Sequence, residues 1–456
     1  MQTCQGHVPF SFPHRNASKQ MEITSSAMLR PAYSVPHRLS GEKVPLTVFD
    51  RASLDIFVPS MLAYPAPAPS NGALKDGLRR AVAAYPHLAG RLALDLRGRR
   101  YIHVNDEGVL LIEAAVGVYL ADVLVDGRMD ARVDDLYPAI PVENIGAALL
   151  QIKLNRYRCG GLVVGISSHH HAAAGHSMGL FFTTWASAVR EGKDFIAPTP
   201  FLDRATTAVP RSTPKPVFDH RSVEFTDACF GKSYAVVPMD RIRNFTVHFT
   251  ADFIANLKAR VGVGVDVRCS TFQCLLAHVW KKITAARDLN PEGFTKVRVA
   301  VNCRSRANPP VPMDFCGNMV LWAFPRLQVR ELLNWSHGSV VGAIRDAVAR
   351  IDDEYIQSFV DYGAVADAGG EELVATAADA GTMFCPDLEV DSWLGFRFHE
   401  LDFGTGAPSA FVPPDLPIEG LMIFVPSRMA KGGVDLFMAI AEEHVASFEQ
   451  ICYSLD

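Results

Sequence analysis

Apolar positions along this chain follow two periods, and the sharpest change between them falls in residues 160–190, GGLVVGISSHHHAAAGHSMGLFFTTWASAVR. The continuous apolar run 162–166 predicts a buried strand, and after Gly175 and Ser177 the spacing predicts a helix from about 178 to 189. Three histidines, His169, His170 and His171, therefore fall where a strand ends and a helix begins. Upstream, MEITSSAMLRPA predicts an opening strand from Met21, Ser53-Leu54-Asp55 marks a helix start or a turn, and residues 64–70 form a proline-rich turn. Leu74, Leu78, Val82 and Ala83 recur at helical spacing, YPHLAGRL leads into a short strand, and strands follow at 101–104, 109–115 and 148–155.

Residues 196–218 hold five prolines and few apolar runs, the composition of a connection between domains. Beyond it the pattern predicts a strand at 246–250 and a helix at 251–260. Cys269-Ser270-Thr271 can cap a further helix, striped by Phe272, Leu275, Leu276, Val279 and Ile283. Strands at 297–301 and 421–425, a long helical region at 339–360 and a closing helix at 436–452, with Phe437, Ile440, Phe448 and Ile451 facing a core, complete the reading. Strands and helices interleave, so the class is α/β, or mixed-sheet α+β. The predicted divisions are a flexible extension at 1–20, an N-terminal domain at 21–215, a connection at 216–240 and a C-terminal domain at 241–456.

With 456 residues and 49% hydrophobic composition the chain can fill more than one core. Lys and Arg number 44 against 49 Asp and Glu, a net charge of -5, which lacks the basic excess that nucleic-acid binding exploits. Nine scattered cysteines, an odd number without CxxC pairs, fit reduced thiols and a cytoplasmic location. No apolar stretch reaches the roughly 20 residues of a membrane span, and the amino terminus lacks a signal-peptide core. The sequons at Asn16, Asn244 and Asn334 read as chance matches.

The end of a strand can hold a side chain rigidly beside a crevice, and imidazole exchanges protons near neutral pH, so the histidine run offers a general base. The same run also fits a hydrogen-bonded core histidine or a metal cluster. Metal is disfavoured, because successive strand side chains point to opposite faces and no HExxH or cysteine pair completes a site.

The ordered set MLRPA, YPHLAGRL, HHHAAAGHS, STFQCLLAHVW, NCRSR, FCGN and DFGTG resembles the plant BAHD acyltransferases over nearly the full chain from Met21. The resemblance implies two chloramphenicol-acetyltransferase-like domains with a solvent channel between them. It also implies a monomer, no permanently bound cofactor and no metal, with acyl-CoA as co-substrate. His170 matches the HHxxxDG base. Ser270 and Thr271 would contact coenzyme A, while Gly175, Asp402, Gly404 and Gly406 match structural motif positions. At the aspartate of HHxxxDG stands Ala174, so Arg304, the implied partner, would lack its carboxylate. Two origins fit that departure: a natural near-inactive homologue, or a substitution introduced into an active one, which the intact remaining motifs favour.

Relatives that use shikimate or quinate carry an arginine ten residues before the variable position of DFGWG; here Gly395 stands there and Thr405 takes the tryptophan's place. Leu62, two residues after Ser60, replaces a shikimate-holding tyrosine, and Arg397 is two residues past the arginine position. An anionic acceptor would lose its clamp. The motifs are similar to the branch that acylates tryptamine, tyramine, agmatine or putrescine. Asp391 or Glu400 would hold the amine, and a hydroxycinnamoyl-CoA such as p-coumaroyl- or feruloyl-CoA, or benzoyl-CoA, would be the donor. The alternatives are a silent acyl-CoA- and amine-binding relative, or an O-acyltransferase.

Overall fold

The computed structural model describes residues 21–125, 128–129, 133–225, 234–262, 269–375, 377–412, 415–428 and 431–455. The expected extension at 1–20 and part of the connection at 216–240 lie outside these residues.

Two mixed sheets organise the chain. In the first, Met21–Leu29, Val109–Val116, Leu150–Tyr157, Leu162–His169, Phe57–Tyr64 and Ala410–Val412 lie side by side in that order. All neighbours run antiparallel except the parallel pair Val109–Val116 and Leu150–Tyr157. The helices Asn71–Ala84 and Gly175–Glu191 cover one face through Leu74, Leu78, Phe181 and Trp185, all fully buried. Four of these strands and both helices stand where the periodicity predicts them.

The second sheet runs Ile242–Phe249, Val434–Ala441, Leu421–Pro426, Leu388–Ser392, Phe294–Asn302 and Val320–Ala323. Alternate residues Val297, Val299, Val301, Leu388 and Val390 enter a core beneath the helix Thr271–Ala286, whose Leu275, Leu276, Val279 and Ile283 face it. That helix begins with a capping box between Ser270 and Gln273.

Two sequence readings are corrected here. Residues 436–452 are not one helix: Val434–Ala441 is a strand and Glu442–Ile451 a helix. A strand buried on both faces reads as a continuous apolar run, which periodicity alone does not separate from a buried helix. The region 339–360 is likewise two helices, His337–Ala349 and Asp353–Ala368, because the Asp352 side chain accepts from the Tyr355 amide and starts a new one.

The halves of the chain exchange segments. Ala410–Val412 adds a strand to the first sheet beside Phe57–Tyr64, and Phe398, Leu401 and Phe403 join the core of that sheet. In return Val48, Phe49 and Ala52, around the short helix Val48–Arg51, pack into the core of the second. Such crossing contacts hold the sheets together along a common junction. Seven cysteines among the described residues are free, and no helix among them is long and apolar enough to cross a membrane.

Candidate active site

His170 is the first residue past the strand Leu162–His169. Its amide donates to the Ile56 carbonyl at 3.0 Å, and its carbonyl accepts from Asn318 Nδ2 at 2.8 Å across the junction. The residue is half-buried, so solvent still reaches it. Burial holds its pKa below the ordinary imidazole value, so the ring is neutral at pH 7. Nδ1 is buried and makes no hydrogen bond among the described residues.

A buried brace fixes this turn. Asp50 Oδ1 accepts from the Asn318 amide at 3.2 Å and from Asn318 Nδ2 at 3.0 Å. Arg204 donates to the same oxygen and to the Ala172 carbonyl. Burial works to raise the Asp50 carboxyl, but Arg204 outweighs it and holds the group ionised. Sequence reasoning passed over Asp50 and Arg204; the Thr47–Asp50 capping spacing and the FCGN motif were the signals available.

The flanking histidines turn the other way, as strand alternation requires. His169 Nε2 lies 3.2 Å from Asp55 Oδ1, and its Nδ1 accepts from the His171 amide at 3.2 Å. His171 Nε2 meets the Ser53 carbonyl at 3.1 Å, and burial pushes its pKa down to about 3. Asp55, His169 and His171 bring ligand-type atoms within 4.8 Å of one another. The carboxylate is already held by Arg100 at 3.1 Å and Asn144 at 3.0 Å, and a guanidinium at that distance opposes a second cation.

Ala174 is the N-cap of Gly175–Glu191 and supplies no capping bond. Arg304, fully buried, has no carboxylate in ion-pair reach among the described residues. Its Nη2 donates to Ser177 Oγ at 3.1 Å, the Phe315 carbonyl at 3.0 Å and the Gly317 carbonyl at 2.9 Å, and burial lowers its pKa to about 10. Neutral acceptors thus stand in for the missing acid.

The other sequence-predicted positions divide. Gly395 is exposed and an added Cβ would meet nothing within 4 Å, beside Trp393, which packs on Phe411 with centroids 5.8 Å apart. Asp391 lies half-exposed on the sheet face turned to the junction, where burial and Glu389 raise its pKa to about 7 against the pull of Arg298. Ser60 is half-buried, whereas Leu62 is packed into the first core between Val164 and Phe411. Glu400 is exposed and paired with Arg397 at 2.5 Å.

Thr405 sits on an exposed turn that Asp402 Oδ1 closes by accepting from the Gly404 and Gly406 amides at 2.7 and 2.8 Å. Both glycines have positive φ, 104° and 105°. Arg190 anchors the turn through the Asp402 carbonyl, at the opposite end of the helix from His170, roughly 22 Å away along its axis. Ser270 spends its hydroxyl on the Gln273 amide at the exposed start of its helix, with Thr271 beside it.

The two mixed sheets and the segments they exchange form a fold shared with the solved structure of vinorine synthase. That similarity has a TM-score of 0.70 at 23% identity and covers 94% of this chain and 96% of the other. The chain belongs to the Transferase family, whose model matches residues 19–455. It is 62% identical to tryptamine benzoyltransferase 1 of Oryza sativa subsp. japonica, over 96% of this chain and 98% of the relative. It is 56% identical to tryptamine hydroxycinnamoyltransferase 2 of the same plant, over 96% and 99%.

Proposed function

We propose that this chain transfers a benzoyl or hydroxycinnamoyl group from its coenzyme A thioester to an amine, with His170 as general base. The observation that carries the reading is the neutral His170 imidazole, reachable between the sheets and held through its own carbonyl by Asn318. The relatives named above, tryptamine acyltransferases by name, supply the donor and acceptor classes.

Nδ1 is buried, so Nε2 is the ring nitrogen a substrate reaches, and its lone pair acts as the base. The amine nitrogen, once neutral, attacks the thioester carbonyl while Nε2 takes its proton. The carbon–sulfur bond then breaks, and the imidazolium returns the proton to the departing thiolate. No metal or resident cofactor takes part in this scheme. Asp391 is the acid open to the acceptor, since Glu400 is already paired outside. Ser270 and Thr271, at a helix N-terminus, would face coenzyme A phosphates. The enzyme would act as a cytoplasmic monomer.

The test mixes purified protein with benzoyl-CoA or p-coumaroyl-CoA and tryptamine, tyramine, agmatine or putrescine, and follows thiol release and amide product. His170→Ala should lower turnover by about 10²–10⁴-fold for every amine. Unchanged turnover in that variant rejects the base assignment. No amide from any pair in the parent protein, nor in its Ala174→Asp form, supports a silent binding relative instead.

A further inference from the structure

Arg298 and Glu389 are direct cross-strand neighbours in the second sheet. Nη1 lies 2.9 Å from Oε2, and the guanidinium stacks 3.7 Å from the centroid of Trp322. Because Val297, Val299, Val301, Leu388 and Val390 fill the helix-covered core, alternation turns Arg298, Ala300, Glu389 and Asp391 to the opposite face, toward the junction. Continuing the parallel register places Asp391 beside Ala300, one rung nearer the Asn302 end than the Arg298–Glu389 pair. Trp322 pairs with Ala300 and Val320 with Asn302. Asn318, which holds the His170 carbonyl, therefore lies four residues before Trp322, roughly 13 Å of extended chain before side-chain reach is counted.

Strand register thus sets Asp391, and then Glu389, on the same sheet face at increasing distance from the Asn318 that holds His170. The Asp391 carboxylate has no ion pair or hydrogen bond among the described residues, and the residue is half-exposed. Glu389 is cancelled by Arg298. Buried Glu224 also lies in the field of Arg298, but it accepts from the Trp322 amide at the edge of the sheet. An amine whose nitrogen sits at His170 extends its other end toward these acids. A diamine or guanidinoalkylamine brings a second positive charge there; an indolylethylamine brings an aromatic ring with one N–H.

We propose that Arg298 is a specificity residue: by neutralising Glu389 it closes the far end of the acceptor site to a second cation. It thereby favours an arylalkyl monoamine, whose ring N–H Asp391 can accept. This rests on the amine-transfer reading above. It differs in what it predicts, because Arg298 changes the ranking of amines and His170 the rate with all of them.

The experiment compares kcat/KM for putrescine and agmatine with that for tryptamine, with the same acyl-CoA. Arg298→Met, which keeps the stem over Trp322 and drops the charge, should raise the diamine-to-tryptamine ratio by about tenfold or more through a lower diamine KM, the size of one hydrogen-bonded ion contact. Arg298→Lys should keep tryptamine ahead. Adding Glu389→Gln to Arg298→Met should abolish the gain. Should Arg298→Met not fold, Glu389→Gln alone is decisive: it frees Arg298 to pair with Asp391, and the ratio should fall further. A ratio unmoved by these charge changes, or a gain that survives in the double variant, overturns the proposal.

Discussion

The Nδ2 group of Asn318 bridges the two sheets, reaching the His170 carbonyl at 2.8 Å and Asp50 Oδ1 at 3.0 Å. It ties the turn that carries the imidazole to a buried carboxylate whose charge Arg204 balances. Asn318→Ala leaves a carbonyl and a carboxylate short of a donor, at about 1–3 kcal/mol. Turnover should fall by roughly 10- to 100-fold at little change in acyl-CoA KM, as steady-state kinetics will read. Full turnover in this variant would mean that the brace does not set the ring.

Position 174 bears on both stability and rate. An aspartate there would cap Gly175–Glu191, a change typically worth about 1 kcal/mol, and would place a carboxylate near the buried charge of Arg304. Ala174→Asp should raise the thermal midpoint and turnover together. If both stay as they are, the carbonyl and hydroxyl acceptors around Arg304 already compensate it fully.

Gly175 is constrained by an aromatic neighbour. A Cβ there would stand 2.6 Å from Cε2 of Phe396, whose ring stacks on Trp393 with centroids 6.1 Å apart. Gly175→Ala should cost about 1–3 kcal/mol by overpacking and raise the amine KM as the Trp393–Phe396 pair shifts. Denaturation together with amine titration checks both.

Glu224 gives the fold a pH dependence of definite sign. Burial raises its pKa from 4.5 to about 8, so the folded chain keeps a proton that the unfolded chain has lost between those values. Its contribution is therefore greatest in acid and is lost as pH rises through that window. Glu224→Gln removes the loss. The melting-temperature advantage of the variant should grow from about pH 5 to about pH 8.5, by the equivalent of at least about 1 kcal/mol. An advantage constant with pH would show that Glu224 ionises freely in the fold.

Elements with strong periodicity were legible along the chain: Asn71–Ala84, Thr271–Ala286 and the strand leading to His169 stand where spacing puts them. Val434–Ala441 was not, because a strand with both faces buried carries no alternation to read. In the site, His170 was legible from its place between an apolar strand and a helix start, and alternation anticipated that its neighbours turn away. The position of the turn that carries Thr405 was not legible, because nearness of motifs in sequence says nothing about which end of a 17-residue helix that turn reaches.

Local residue order by itself determined the periods of the elements, the histidine run at a strand end and the motif set of an acyltransferase, because these depend on neighbours a few positions apart. Only the tertiary structure decided that Asp50, Arg204 and Asn318 close around the His170 turn, that Arg298 claims Glu389 and leaves Asp391 open, and that Ala410–Val412 crosses to the other sheet. Those relations join residues tens to hundreds of positions apart. They are set by which buried charges and strand edges must be satisfied once the two cores form, and no local pattern encodes that choice.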